Sequence, residues 1–421
     1  MILEFFLVGL ARASQEDFCG RSALPSREKE AVQASSESPQ QLHDAKKTKN
    51  ASTGFTLSGV KRAFEDRFGP LSIGFRAIGY YQGANNVTIG RQDIRDNSGP
   101  GYTLDLELTW NPIATGAFYL RLHNGYGKGA DRHLGELLLA NLNTIADDND
   151  EYGDGVQIIE AYYTQRFLKD LYVTIGKTDA ETFIDLNAFA NDEYTQFVGK
   201  PFVNNPLLDS RNDYIPTLAI GGSIFKEVEL VILAQTMNRP NSVAFEEKGV
   251  GQNLFDDPGF SAQVTYSPKL RGLEGNYRLL GGWDSYGFKY PDGQQDRGTN
   301  WGVGLSLDQK VHEKVGLFAR GGYGKKSMFG LAWFWSGGAQ LTGIFPSRCR
   351  DVLGLGVAGL VYAQEILGKS RGMETHMEAY YRIALCDYFA ITPDIQCVIA
   401  PWGRGENGTI VAGMLRAEFR F

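Results

Sequence analysis

The sequence predicts an all-β fold, a sixteen-stranded antiparallel transmembrane β-barrel with long extracellular loops. Three observations carry that expectation. Apolar and polar residues alternate with period two, the connections between alternating segments are long and short by turns, and the charges collect on one parity of the segments. No window of the 421 residues comes near the ~18 consecutive apolar residues of a membrane helix. Gly is 51 of 421 residues, above the usual ~7%, and 20 Tyr and 25 Phe are spread along the chain, which also suits a membrane barrel. The net charge of -7 argues against a nucleic-acid or polyphosphate binder.

The N-terminal region stands apart. Residues 1–13 hold a short apolar run, Ile2 to Leu10, followed by Ala11-Arg12-Ala13, which resembles a cleavage site. Glu4 interrupts that run and no Lys or Arg precedes it, so it reads as a weak signal peptide or as the product of a mis-assigned start. Residues 14–56 form a flexible polar tail; 24–53 in particular is rich in Ser, Gln, Lys and Glu and cannot bury a core. The barrel region is 57–421. It is entered through a short helix, Val60 to Arg67, with Ser58 as its N-cap and Gly69-Pro70 as its stop.

From Leu71 onward the period is two. In 103–110, Leu104, Leu106, Leu108 and Trp110 share one face, and Thr103, Asp105, Glu107 and Thr109 the other. The same pattern runs through 118–123, 377–383 and 415–421. The sixteen expected strands lie near 71–82, 102–110, 117–126, 156–167, 170–177, 214–224, 227–237, 259–267, 275–287, 299–308, 314–323, 330–343, 351–363, 373–385, 389–399 and 409–421. Long connections such as 83–101, 127–155, 178–213 and 238–258 alternate with short ones such as 111–116, 168–169 and 225–226. Long outside and short inside is the pattern of an outer-membrane barrel, and an even strand number puts both ends on the periplasmic side. By parity Arg76, Asp105, Glu107, Arg121, Glu160, Arg166, Arg320, Glu378, Arg382, Arg416, Glu418 and Arg420 fall on the polar face. A soluble barrel of this size would leave a lumen too wide for side chains to fill.

Several motifs invite chemistry and do not support it. Gly354-Leu355-Gly356-Val357-Ala358-Gly359 matches G-x-G-x-x-G, but no helical period follows, so the glycines read as small lumen-side positions on a strand. The acidic stretch 147–154 lacks the Glu that an EF-hand frame needs, since Ile159 stands there, and reads as a solvated loop or a loose divalent-ion site. His376 and Glu378 share a polar face and read as a solvated lumen pair. No zinc or redox motif and no nucleophile constellation occurs, so no catalytic residue, metal site or cofactor is expected. Cys349 and Cys386 would face each other at the periplasmic rim of one hairpin, as a disulfide or as two thiols, and Cys397 would stay free on the apolar parity.

Several segments together resemble the carbohydrate-selective porin family, the OprB type, the C-terminal stretch most specifically. The residues that carry the resemblance are Glu378-Ala379-Tyr380-Tyr381-Arg382 with Leu385, then Ile391 to Gln396. Gly337-Gly338-Ala339, Phe345-Pro346-Ser347-Arg348 and Asp351 to Val357 precede them. Ile175-Gly176-Lys177, Phe189-Ala190-Asn191-Asp192-Glu193 and Phe197 are similar to the family's passage from a strand into its constricting loop, and the terminal Phe421 fits the outer-membrane assembly signal. The resemblance covers about residues 57–421. It implies a sixteen-stranded barrel with an inward-folded third loop, in the outer membrane of a Gram-negative bacterium, passing sugars such as glucose passively with no cofactor and no covalent chemistry. Implied partners are sugars in transit, outer-membrane lipid and lipopolysaccharide, and the barrel-assembly machinery through Phe421. The alternatives are a general or cation-preferring diffusion porin, and an outer-membrane enzyme or structural barrel.

The physical chemistry of a sugar channel points to the same loop. A narrow waist must replace the sugar's lost water with polar groups, and binding must stay weak enough for exit. The segment Thr178 to Arg211 carries Asp179, Glu181, Asp185, Asn191 and Glu193, with a helix-compatible stretch from Asp179 to Asn191. Phe183, Ile184, Leu186 and Phe189 would be costly to leave in solvent, so the loop should fold into the lumen. Its carboxylates should then lie opposite Arg76, Arg121 or Arg166. Those eight polar residues are the expected constriction.

Overall fold

The computed structural model describes residues 65, 67–90, 92–95, 97–134, 142–145, 155–168, 170–208, 214–236, 258–285, 299–325, 330–363 and 372–421. The sixteen alternating segments form sixteen strands. They are β1 Leu71–Ala84, β2 Ser98–Ile113, β3 Gly116–Tyr126, β4 Gln157–Phe167, β5 Leu171–Thr178, β6 Ile215–Phe225, β7 Val228–Thr236 and β8 Pro258–Tyr266. Then come β9 Leu273–Asp284, β10 Asn300–His312, β11 Val315–Gly324, β12 Leu331–Thr342, β13 Val352–Tyr362, β14 Met373–Ala384, β15 Phe389–Ile399 and β16 Ile410–Arg420. Lys269–Leu270 briefly continues β8 against the same neighbour, and a small hairpin, Val87–Ile89 with Gln92–Ile94, decorates the first long connection. Each strand pairs antiparallel with the next, and β1 pairs with β16, which closes the barrel and leaves it without an edge.

The closing seam differs in register from the expected one. Phe421 exchanges backbone hydrogen bonds with Phe75, at 3.0 and 3.2 Å, while Leu71 pairs with Trp110 of β2. Strands in a barrel are tilted and staggered, so the lowest residues of β1 extend past the end of β16. Ahead of β1, Glu65, Arg67 and Phe68 are helical, and the Gly69 amide donates to the Glu65 carbonyl at 2.9 Å, so the helix stops at Gly69-Pro70 as expected. Its expected cap, Ser58, lies outside the described residues.

The barrel is inside out relative to a soluble protein. In β16, Leu415 is 55% exposed while Arg416 beside it is 1% exposed. Asp105, Arg121, Glu160, Arg278, Asp308, Arg320, Glu378 and Glu418 are likewise buried, and Leu104, Ile175, Ile232, Leu305, Leu355 and Ile395 are exposed. Charges face the lumen and large apolar side chains face outward, as lipid requires. Outward aromatic rings form a belt at each rim. At the long-loop end Phe260 stacks on Trp283 at 6.0 Å, and Trp301, Tyr323 and Trp333 follow at 5.7 and 4.5 Å. At the short-turn end Trp110 stacks on Phe118 at 5.4 Å, and Phe118 meets Tyr163 at 4.5 Å. Amphipathic rings at both interfaces anchor a transmembrane barrel.

The G-x-G-x-x-G run lies wholly in β13. Gly354 and Gly356 face the lumen as expected, whereas Gly359 faces outward beneath Trp335. Cys386 and Cys397 are free thiols, so the bridge between Cys349 and Cys386 is not formed. Cys349 is itself disulfide-bonded and is not available to Cys386. Cys349 ends the 3₁₀ turn Pro346–Arg348 and its backbone lies against Gly343 at the end of β12. The corner facing Cys386 is taken by Asp351, which accepts from the Ala384 amide at 3.0 Å, and by an Arg350–Asp387 ion pair at 2.5 Å. The acidic stretch 147–154 lies outside the described residues.

Candidate functional site: a loop-narrowed lumen

The third long connection leaves β5 and turns inward at once. Glu160 on β4 draws it in, accepting from the hydroxyls of Thr178 and Thr182 at 3.0 and 3.1 Å. Asp179 caps a single 3₁₀ turn, Ala180–Thr182, through the Glu181 amide. The helix-compatible stretch from Asp179 to Asn191 is otherwise irregular. Its polar side chains bind the wall and each other, which competes with a helical ladder. Asp185, at φ 57°, donates its amide to Gln263 of β8 at 2.8 Å. Its carboxylate accepts from Arg320 of β11 at 2.9 Å and from the Asn205 amide at 2.6 Å. One side chain thus ties the descending limb to the returning limb and both to the opposite wall.

Arg320 completes that knot. Its other nitrogens donate to the carbonyls of Phe202 and Asp185 at 2.8 and 3.2 Å and to Asn191 Oδ1 at 3.3 Å. Glu378 of β14 holds the next stretch, accepting from the Val198 and Gly199 amides at 2.6 and 2.9 Å. Arg416 of β16 donates to the carbonyls of Glu193 and Gln196. Apolar packing fills the space between. Phe197 stacks near Phe202 at 5.0 Å and meets Tyr380 edge-on at 4.9 Å. The close approach needs glycine on the wall: a Cβ on Gly316 would lie 2.2 Å from the Phe189 ring, and one on Gly356 2.7 Å from Phe202. The second long connection joins in, since Thr144 donates its amide to Val198 and Leu142 accepts from Gln396.

The expected arginines meet the loop differently from expectation. Arg121 makes a bidentate pair with Asp105 at 3.0 Å and reaches the loop through hydroxyls, those of Tyr194 at 3.0 Å and Tyr214 at 3.3 Å. Arg76 lies over the Tyr194 ring at 4.6 Å and pairs with Asp192 at 3.9 Å. Arg166 is near the end of β4, where its amide donates to Thr115 in the short turn, so it belongs to the short-turn rim. Of the expected acids, Asp185 pairs with Arg320, Glu193 serves through its carbonyl, and Asp179 and Glu181 sit half-exposed at the loop's entry. Asn191 accepts from Arg320 and from the Asn187 amide.

Arg320, Glu378 and Arg416 are the anchors missing from the expected set. Parity placed all three on the polar face, but parity does not tell how high along a strand a residue sits or what crosses the lumen to meet it. His376 and Glu378 are buried rather than solvated; His376 pairs with Glu374 at 2.6 Å. Toward the short-turn side, Arg382 and Arg420 share Glu418 at 2.7 and 3.2 Å and, like Arg76 and Glu107, are only partly buried. Among the described residues no group of three or more His, Cys, Asp or Glu could hold a metal ion. The arrangement suits weak, exchangeable hydrogen bonding to a small solute in a narrowed aqueous path.

Residues 95–421 match the family described as carbohydrate-selective porin, OprB family. Porin AaxA of Chlamydia pneumoniae is 24% identical over 283 residues, which is 65% of this chain; the match spans 61% of the length of that relative. Among solved structures, the high-pH structure of Pseudomonas putida OprB superposes with a TM-score of 0.67 at 15% identity, over 86% of this chain and 97% of that one. The outer membrane channel DcaP of Acinetobacter baumannii superposes with a TM-score of 0.50 at 12% identity, over 83% and 97%. At such identities these two likenesses establish the shared barrel fold. With the family match over most of the chain, the sixteen-stranded closure and the loop folded across the lumen, this chain belongs to the carbohydrate-selective porin family of the OprB type.

Proposed function

We propose that the chain is an outer-membrane channel for the passive, selective diffusion of carbohydrates, monosaccharides such as glucose among them, in a Gram-negative cell. The observation that carries this reading is the Asp185–Arg320 tie, which fixes the loop across the lumen and leaves a narrowed path lined by arginine, carboxylate and aromatic side chains. A neutral, hydroxyl-rich solute exchanges its water for such groups without paying for an unbalanced charge, because the lumen arginines are matched by carboxylates. Outside the barrel the apolar face and two aromatic belts meet lipid and lipopolysaccharide. The assembly machinery reads the C-terminal strand ending in Phe421. The channel needs no cofactor and performs no covalent chemistry.

Family membership and the mixed lining support sugars over ions. The second reading, a general or cation-preferring porin, draws on the net charge of -7. Liposome swelling across mono- and disaccharides separates them, together with ion selectivity in planar bilayers with and without glucose. Monosaccharide flux above the size trend of neutral solutes, and glucose-dependent block of ion current, are expected. Flux that follows size alone, with cation selectivity and no effect of glucose, overturns the sugar reading in favour of the second.

A further inference from the structure

The lumen is not lined evenly. Rings from the loop and the far wall, Phe189, Phe197, Phe202, Phe318 and Tyr380, are buried in one group, and Tyr194 is buried in another beside Ile78 and Tyr80, so all six are out of reach of a solute. Of the described lumen-facing rings on the wall and the third loop, four keep part of their surface exposed: Tyr119, Tyr162, Tyr172 and Phe183. All four lie in one sector, β3 to β5 and the first turn of the loop. Tyr172 lies over Gly221 in β6, toward the short-turn rim. The other three form a row. Tyr119 and Tyr162 are direct cross-strand partners, stacked with centroids 4.9 Å apart and planes 26° apart. Phe183 meets Tyr162 edge-on at 6.4 Å.

The row is built rather than loose. Thr182, next to Phe183, is held by Glu160, and the Phe183 amide donates to Ala180 at 2.9 Å. Phe183 also packs on the buried group of Ala180, Ile184, Ala219, Val231 and Leu233. Beyond β2, on β1, β14 and β16, the partly exposed lumen groups are guanidiniums, Arg76, Arg382 and Arg420, while the corresponding arginine of the aromatic sector, Arg166, lies near Tyr172 toward the short-turn rim, away from the row. One side of the path therefore offers carbon surface, and another offers hydrogen-bond donors.

We propose that Tyr119, Tyr162 and Phe183 form a platform for the ring of a permeating sugar, so that the channel prefers cyclic sugars to acyclic polyols of equal size. This rests on the reading that the channel carries sugars. A pyranose has a rim of hydroxyls and faces of C–H bonds. The faces suit aromatic surface and the rim suits the guanidinium side. An acyclic hexitol has the same hydroxyl chemistry and no flat face. The expected preference is about two- to tenfold, which corresponds to roughly 0.4–1.4 kcal/mol at 1.4 kcal/mol per decade.

The test uses the full chain reconstituted in liposomes, with swelling in glucose and in sorbitol at equal osmolarity and KCl conductance in planar bilayers as the check on assembly. The wild type should pass glucose faster than sorbitol. Tyr162→Ala and Phe183→Ala should cut that ratio by about two- to tenfold with KCl conductance retained, whereas Tyr162→Phe should keep it. Should Tyr162→Ala fail to assemble, Tyr162→Thr, which suits a strand, carries the same test. An equal rate for glucose and sorbitol in the wild type overturns the platform, and so does an unchanged ratio in the assembled variants. A wild type that passes no sugar above its size trend refutes the carbohydrate reading itself, which is a different result from sugar flux without ring preference.

Discussion

Asp185 and Arg320 stand 135 residues apart in sequence and meet at 2.9 Å inside the lumen, one on the loop and one on the far wall. The contact does more than pair two charges. Every nitrogen of the guanidinium has an acceptor in the loop, and the other carboxylate oxygen of Asp185 holds the returning limb through Asn205. The descending and returning limbs of the loop are thus tied to the wall by one buried ion pair and its hydrogen bonds, beside the holds made by Glu160, Glu378 and Arg416.

Arg320→Ala should release the loop. Removing one partner of a buried pair costs about 3–5 kcal/mol, because the remaining carboxylate is left unpaired away from bulk water. The barrel ladder does not depend on that pair, so the expected outcome is an assembled barrel with a wider path. Single-channel conductance should rise and discrimination between mono- and disaccharides should fall. Conductance and sieving equal to wild type would show that the loop is held elsewhere.

Arg76 and Arg121 should behave differently although both face the lumen. Arg76 keeps a small part of its side chain exposed, 12%, and its contact with the Tyr194 ring is worth about 0.5–2 kcal/mol. Arg76→Ala should lower sugar selectivity while the barrel and its conductance persist. Arg121 is buried against Asp105, with Glu160 at 3.7 Å. Arg121→Ala takes the guanidinium from two buried carboxylates, leaving Asp105 with His123 and Glu160 with threonine hydroxyls, and should reduce heat resistance of the folded band in electrophoresis before any transport assay is informative. Equal effects of the two substitutions on folding would contradict the assignment.

Most of the barrel was legible because strand periodicity is a local property. Residues 415–421 alternate in sequence, and in the barrel Leu415 faces outward and Arg416 inward. The loop's inward fold was legible from Phe183, Ile184 and Phe189, apolar groups that need cover. Its partners were not. Arg166 and Arg320 look alike by parity, yet one lies at the rim and the other under the loop, because height in a barrel depends on stagger between strands. A bulge hides one further point: Arg121 pairs with Glu160 but Leu122 with Ile158, so Ile159 is inserted and Ile158 faces outward, which simple alternation from Glu160 would not give. The rim cysteines failed for a different reason, since hairpin parity does not fix a pairing: Cys349 is engaged in a disulfide that does not involve Cys386, which stays a free thiol.

Cys386 gives a direct chemical check on that corner. It is a free thiol in the four-residue turn between β14 and β15, partly exposed, with its amide donating to Phe389 at 3.2 Å. A maleimide should modify it in the folded, non-reduced protein, and prior reduction should not raise the extent of labelling at this position. Cys386→Ser should leave thermal stability unchanged within about 0.5 kcal/mol, as for a surface substitution away from structural features. Labelling of Cys386 only after reduction would show that it is bridged.

Gly316 tests whether the loop is packed against the wall or merely lies near it. It opens β11, and an ideal Cβ there would fall 2.2 to 2.5 Å from three atoms of the Phe189 ring. Phe189 is 9% exposed and belongs to the same buried group as Phe197, Phe202 and Phe318, so the ring has little room to yield. Gly316→Ala should therefore displace the loop, with overpacking costing about 1–3 kcal/mol. The backbone of Gly316 is not in a left-handed conformation, so the cost should come from the clash and not from strain in the strand. That makes a double mutant informative. Phe189→Ala alone removes packing, and adding Gly316→Ala to it should cost almost nothing further, because the methyl group then enters vacated space. Denaturation midpoints and single-channel conductance of the four proteins measure the coupling, expected at roughly 0.5–3 kcal/mol for side chains in contact. Strict additivity would mean that Phe189 does not touch this wall, and the packed constriction would have to be redrawn.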